Sequence, residues 1–168
     1  RNVFIDNNVT DGGYGFDLSS SNECNITDNW MTGEDYCVEL EDSTANNISG
    51  NLFNDSYVGV YCDDSSDSNT IIDNTFDDIW DDGICLYASN LNQLQENSFN
   101  NSNTGIYMDN SDSNYLQENN FNNTSDGIYV YDSSDTVITN NTFENCDYGI
   151  YVEYAGNATV TNNVFSND

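Results

Sequence analysis

Paired carboxylates are the side chains of this sequence best suited to chemistry. Asp63-Asp64, Asp77-Asp78 and Asp81-Asp82 fall close together near the middle of the chain. Two carboxylates in unlike environments suffice for glycoside hydrolysis, one as the acid and one as the base or nucleophile. The same oxygens suit a hard cation such as Ca²⁺, which gathers about six to eight of them. The usual helpers are scarce: the 168 residues include no His, and Arg1 is the lone cationic side chain. No EF-hand or nonapeptide calcium loop is present. Most of these Asp are therefore expected in solvated acidic loops with loose ionic screening. No cofactor is required, and Ca²⁺ or another cation held by the three pairs is the sharper alternative.

Other residues invite recognition. Tyr61, Tyr107, Tyr129 and Tyr151 recur at one position of the repeat set out below. They form an outward aromatic stripe, suited to a sugar or a neighbouring chain, or simply to ladder packing that stiffens a sheet. None of the five cysteines belongs to a CxxC pair, which argues against zinc. Cys62 and Cys85 lie 23 residues apart and are a candidate disulfide between adjacent coils. Against the pairing, Gly83 comes one residue late in its coil, and the extra residue could act as a bulge that turns Cys85 outward while Cys62 points in. Sequons at Asn54, Asn100, Asn122 and Asn123 fall in outward turns and are candidate N-glycosylation sites.

Charge excludes whole classes of partner. Thirty acidic residues against one basic residue give a formal charge of -29. Nucleic acids and anionic lipid surfaces are bound through Lys and Arg, which this chain almost lacks. No apolar run approaches the ~20 residues of a membrane span, so insertion is not expected. Self-repulsion of this size is relieved by salt or divalent cations, which points to an ion-rich exterior: an extracellular or cell-surface setting.

The elements that must position these side chains come from a repeat running end to end. An Asn recurs at Asn7, Asn29, Asn51, Asn74, Asn97, Asn119, Asn141 and Asn163, with gaps of 22 or 23 residues. Two residues later stand Val9, Met31 and then Phe53, Phe76, Phe99, Phe121, Phe143 and Phe165; three residues before stands an aliphatic or Phe4. A further apolar column, from Phe16 through Val38 and Val60 to Ile150, follows the glycines. Apolar and polar residues alternate within each short segment, the mark of strands with one buried face. Clusters of Asn, Asp, Ser and Gly between them read as turns, with Gly supplying positive φ at the corners. Three short strands per unit, each pairing with its counterpart in the next, make an all-β single-stranded parallel β-helix whose coils stack about 4.8 Å apart. Residues 1–168 form one such domain of seven to eight coils with no evident caps.

The run Asn-x-Phe followed by Gly-Ile-Tyr-Val, as in Asn119 to Val130 and Asn141 to Val152, resembles the repeats of the pectate-lyase-like superfamily, closest to its NosD-like and archaeal surface-protein branches. The resemblance covers almost the whole chain. It implies a right-handed coil and an extracellular or periplasmic setting. Lyases of this superfamily rely on an Arg or Lys base with carboxylate-bound calcium, and the hydrolases on clustered Asp with a nearby His. Arg1, at the extreme end, is the one such base and there is no His, so a polysaccharide-degrading enzyme is the least expected reading.

The pattern is already running at Phe4-Ile5 and stops at Val164-Phe165. Such ends suit either a piece of a longer β-helix or a subunit whose ends meet head to tail, a contact that propagates rather than closes. The expectation is a non-enzymatic structural protein, partnered by itself in a filament, sheath or surface layer. A carbohydrate- or calcium-binding surface module is the alternative.

Overall fold

A computed structural model describes residues 1–167; Asp168, the last residue of the expected domain, lies outside the described residues. The described residues form 23 strands and no helix. The strands assemble into three parallel sheets of eight, eight and seven strands, each made of elements taken once per coil. The first sheet runs from Val3–Ile5 to Thr159–Thr161, the second from Asn8–Thr10 to Val164–Ser166, and the third from Tyr14–Ser19 to Tyr148–Glu153. This is the expected parallel β-helix, and the register is the sequence repeat itself: Ile71 pairs with Ile48 and Leu94, and Phe76 with Phe53 and Phe99.

Stacking like on like fills the interior. The columns headed by Phe4, Val9 and Phe16 lie inside, and most of their members are fully buried. From Phe76 to Phe165 successive Phe rings stack 4.7–4.9 Å apart and within 10° of parallel. A parallel ladder at the strand spacing forces this offset stacking, which favours aromatic pairs.

Two corners are held by side-chain ladders. At the first, between the first and second sheets, each Asn Nδ2 donates to the Oδ1 of the Asn one coil on, unbroken from Asn7 to Asn163 at 2.8–3.1 Å. The same Oδ1 accepts the backbone N–H of the preceding Asn, as Asn97 does from Asn74. A second Asn ladder, Asn46, Asn69, Asn92 and Asn114, closes the corner between the third sheet and the first. Buried turn amides that a sheet cannot pair are thereby satisfied.

Glycine plays a different part from the one expected of it. Gly33 and Gly50 have positive φ, but most left-handed corner residues are Asp or Asn, including ten aspartates from Asp6 to Asp135. Their short side chains tolerate that conformation, so part of the acidity follows from the turns. The recurring Gly59, Gly83, Gly105 and Gly127 instead let strands of the third sheet approach the Phe rings: a Cβ on Gly127 would lie 2.5 Å from Phe143 Cδ1.

Cys62 and Cys85 do not form a disulfide. In the register Cys85 pairs with Tyr61 and Cys62 with Leu86, so the two side chains point to opposite faces of the sheet and both thiols are free. Burial pushes the Cys62 thiol up to about 12 and raises that of Cys85, which stands beside Asp82.

Candidate functional site

Coil spacing is broken twice, and the second break builds a site. Between the second and third sheets, Phe76 to Gly83 carries one residue more than Phe99 to Gly105. Backbone pairing shows where the insertion is absorbed. Asn103 N–H donates to Ile79 O and Thr104 N–H to Asp81 O, passing over Trp80. Trp80 keeps its N–H bond to Ser56 O of the preceding coil, but its carbonyl is left out of the ladder to the next coil, and its side chain stands outward, 68% exposed. Its indole Nε1 donates to Asp55 Oδ1 at 3.2 Å, which fixes the ring's direction.

Trp80 stands at one end of an open groove of about 610 Å³ along the corner between the second and third sheets. Successive coils line it with the same kinds of polar group. Asn101, Asn123 and Asn145 contribute amides from left-handed turn positions, and Ser102, Thr124, Asn103 and Ser125 add hydroxyls and a further amide. Asn123 Nδ2 donates to Asn101 Oδ1 at 2.7 Å, and Asn145 Nδ2 to Asn122 Oδ1 at 3.3 Å. Asp55 and Asp78 lie at the Trp80 end and Asp147 at the other. The result is a neutral hydrogen-bonding trough along the solenoid axis, with acidic ends and one aromatic face.

The six aspartates singled out in the sequence are divided among three places. Asp63 and Asp64 lie where the third sheet ends, Asp77 and Asp78 where the second ends, and Asp81 and Asp82 at the start of the third. Among the described residues no group of three or more His, Cys, Asp or Glu stands ready to hold a metal ion. Asp82 is set apart by its environment: burial, with Asp81 and Asp126 nearby, pushes its carboxyl up to about 7 against hydrogen bonds with Thr104 and Cys85. It is not among the residues that line the groove.

The Tyr stripe lies on the outer face of the third sheet, interrupted by Cys85. It offers no flat platform. Tyr107 and Tyr129 meet at 75°, and Tyr129 and Tyr151 at 64°, the edge-to-face packing that ring quadrupoles favour. Burial raises the Tyr61 hydroxyl and carries that of Tyr107 up to about 12, so both stay protonated donors. Of the sequon residues, Asn54, Asn100 and Asn122 end strands of the second sheet, and Asn123 is exposed in the groove.

Sequence reasoning passed over the groove. Its signal is present in the sequence: the 23-residue coil from Asn74 to Asn97 holds a Trp at the insertion.

The family model described as periplasmic copper-binding protein (NosD) matches residues 1–79 and 65–168. No curated protein sequence matches the chain. Among solved structures, a mutant of the periplasmic alginate epimerase AlgG superimposes with a TM-score of 0.81 at 20% identity, covering 97% of this chain and 44% of the epimerase. Another AlgG mutant gives 0.68 at 18% identity, over 95% of this chain and 50% of that one. The chain thus spans half or less of these structures, and the likeness is one of fold.

Proposed function

This chain belongs to the periplasmic copper-binding protein (NosD) family, whose setting lies outside the cytoplasm, and we propose that it is a non-catalytic module that binds neutral glycan chains along the Trp80 groove. The observation that carries the reading is the groove: an axial trough of repeated amides and hydroxyls beside an indole held open to solvent. A linear polymer of hydroxylated rings laid along the axis meets the same donors and acceptors from each coil. Trp80 offers an apolar face for a ring's C–H edge. Net charge sets the preference, since a polyuronate such as alginate, which gives the fold neighbour its name, is repelled by a surface of -29.

Copper finds no fitting ligands here. The chain has no His, Met31 and Met108 are fully buried, and all five cysteines are buried, with the Cys37 and Cys62 thiols pushed up to about 12. Soft-metal ligation needs thiolate, thioether or imidazole at an accessible place, and carboxylates are a poor substitute. No role is assigned to copper.

Turnover would require an acid and a base converging on the bound chain. Asp82, the carboxyl that burial pushes up to about 7, engages Thr104 and Cys85 rather than the groove. Head-to-tail assembly rests only on apolar side chains exposed at the terminal coils, such as Val160, Val164 and Phe165, which further coils of one chain would cover equally.

Affinity electrophoresis tests the glycan reading. Mobility should fall in gels cast with neutral β-glucan or mannan and stay unchanged in alginate, and Trp80→Ala should restore free mobility. Retardation by alginate alone, or full retardation of Trp80→Ala, would reject the proposal.

A further inference from the structure

Away from the groove, on the outer face of the third sheet, Asp126, Tyr129, Tyr148 and Tyr151 line a hollow of about 280 Å³. Its geometry follows from the ladder. Asp126 pairs with Tyr148 and Tyr129 with Tyr151, so four side chains from two coils stand at the corners of an elongated rectangle, about 10 Å along the strand by about 4.8 Å between coils. Asp126 and Tyr129 share the outer face because Gly127 and Ile128 between them are both buried against the core.

The rings are set at angles to one another. Tyr129 and Tyr151 have centroids 4.8 Å apart at 64°, and Tyr148 and Tyr151 lie 5.9 Å apart at 52°. Three inclined ring walls and one carboxylate make a concave surface of negative potential, since each ring face carries the negative lobe of its quadrupole. At the rim, Tyr129 Oη donates to Glu153 Oε2 at 3.2 Å, keeping a second carboxylate beside the hollow. The chain's sole cationic side chain, Arg1, belongs to the first coil, whereas the hollow is built from the sixth and seventh, so no internal guanidinium or ammonium takes the place.

We propose that this hollow is a binding site for small organic ammonium ions, quaternary or methylated amines of the choline and betaine type. A trimethylammonium head is weakly hydrated, so it gives up water readily to the ring faces, whereas Na⁺ and K⁺ keep their shells. The carboxylates of Asp126 and Glu153 and the field of the whole molecule draw the cation in. The ring angles enclose a rounded head in a way that a flat platform would not. The site is separate from the glycan groove and stands without it.

An NMR titration with choline, set against its uncharged isostere 3,3-dimethylbutan-1-ol in buffer held at 0.15 M NaCl, tests the assignment. Choline should saturate the Tyr148 and Tyr151 signals with an affinity about tenfold or more above the isostere. Tyr148→Leu and Tyr151→Leu, both at exposed positions, should each weaken choline about tenfold with no change in melting midpoint, and Tyr148→Trp should retain binding. Equal binding of the isostere would overturn the proposal. So would choline binding that survives both Leu substitutions, which would assign the affinity to diffuse negative charge.

Discussion

At the scale of single residues, Asp82 and Trp80 show how one inserted residue yields two unusual side chains. The next coil passes over the Trp80 carbonyl and the ring becomes the exposed face of the groove, while Asp82, two residues on, is folded in against Thr104 and Cys85. Burial raises the Asp82 carboxyl from 3.8 to about 7, with Asp81 and Asp126 adding repulsion. The folded state thus holds a proton that the unfolded chain has released. Its contribution is full below the ordinary carboxylate range and is lost as pH rises through about 7. The rise from 3.8 to about 7 corresponds to about 4 kcal/mol at most. Asp82→Asn, neutral throughout, should therefore be more stable than the parent at pH 8 by about 2–4 kcal/mol in urea melts, with the gap narrowing steadily towards pH 4. A gap that does not change with pH would show that Asp82 is ionised in the fold.

At the scale of elements, the corner ladders carry the account, and two substitutions probe them in opposite directions. Asn97 accepts from Asn74 N–H and Nδ2, and donates to Ile71 O at 2.8 Å and to Asn119 Oδ1 at 3.1 Å. Asn97→Ala strands several buried partners at once and should cost about 3 kcal/mol or more in denaturant melts, against well under 1 kcal/mol for an exposed Asn such as Asn123. Glu34 is the contrary case. It fills the corner slot that Ser56 and Ser102 occupy in later coils, yet it is 2% exposed and neither carboxylate oxygen has a hydrogen-bond partner among the described residues. Glu34→Ser matches the column and should stabilise the protein by about 1–3 kcal/mol; a loss of stability would mean that the carboxylate serves the fold. The first Asn ladder was legible because its members recur beside unmistakable Phe and Ile columns. The second was not, since Cys24 and Thr136 occupy its slots at either end and dilute the pattern. Gly59 to Gly127 were read as turn residues because sequence reports that a position needs no Cβ, not whether φ or a neighbouring ring is the reason.

At the scale of the whole molecule, repeat, sheet count and register could all be read from one periodic sequence, because in a solenoid each local pattern is also the long-range contact. Function was far less legible. The groove arises where the repeat fails, at Trp80, and the Tyr rings stand at angles that no spacing encodes. Charge, by contrast, is a property of composition alone. With -29 spread over a narrow rod, repulsion persists until salt shortens its reach from roughly 10 Å at 0.1 M to about 3 Å at 1 M. Raising KCl from 0.05 to 1 M should lift the melting midpoint by about 5 °C or more, equivalent to roughly 2 kcal/mol for a chain of this length. An unmoved midpoint would indicate that the carboxylates are already neutralised by bound ions.

The central claim is that the bulged indole and its polar trough grip a neutral glycan. Trp30 is the second tryptophan, half exposed at the start of a strand in the second sheet, so Trp30→Phe leaves Trp80 as the sole indole reporter. Fluorescence titration of that variant with neutral oligosaccharides of increasing length tests the claim most directly. A saturable blue shift is expected, with affinity rising with chain length up to the span of the coils lining the groove, and none with uronate oligomers. Emission that stays unchanged while the same oligosaccharides bind, or binding that Tyr151→Leu abolishes and Trp80→Ala spares, would contradict it.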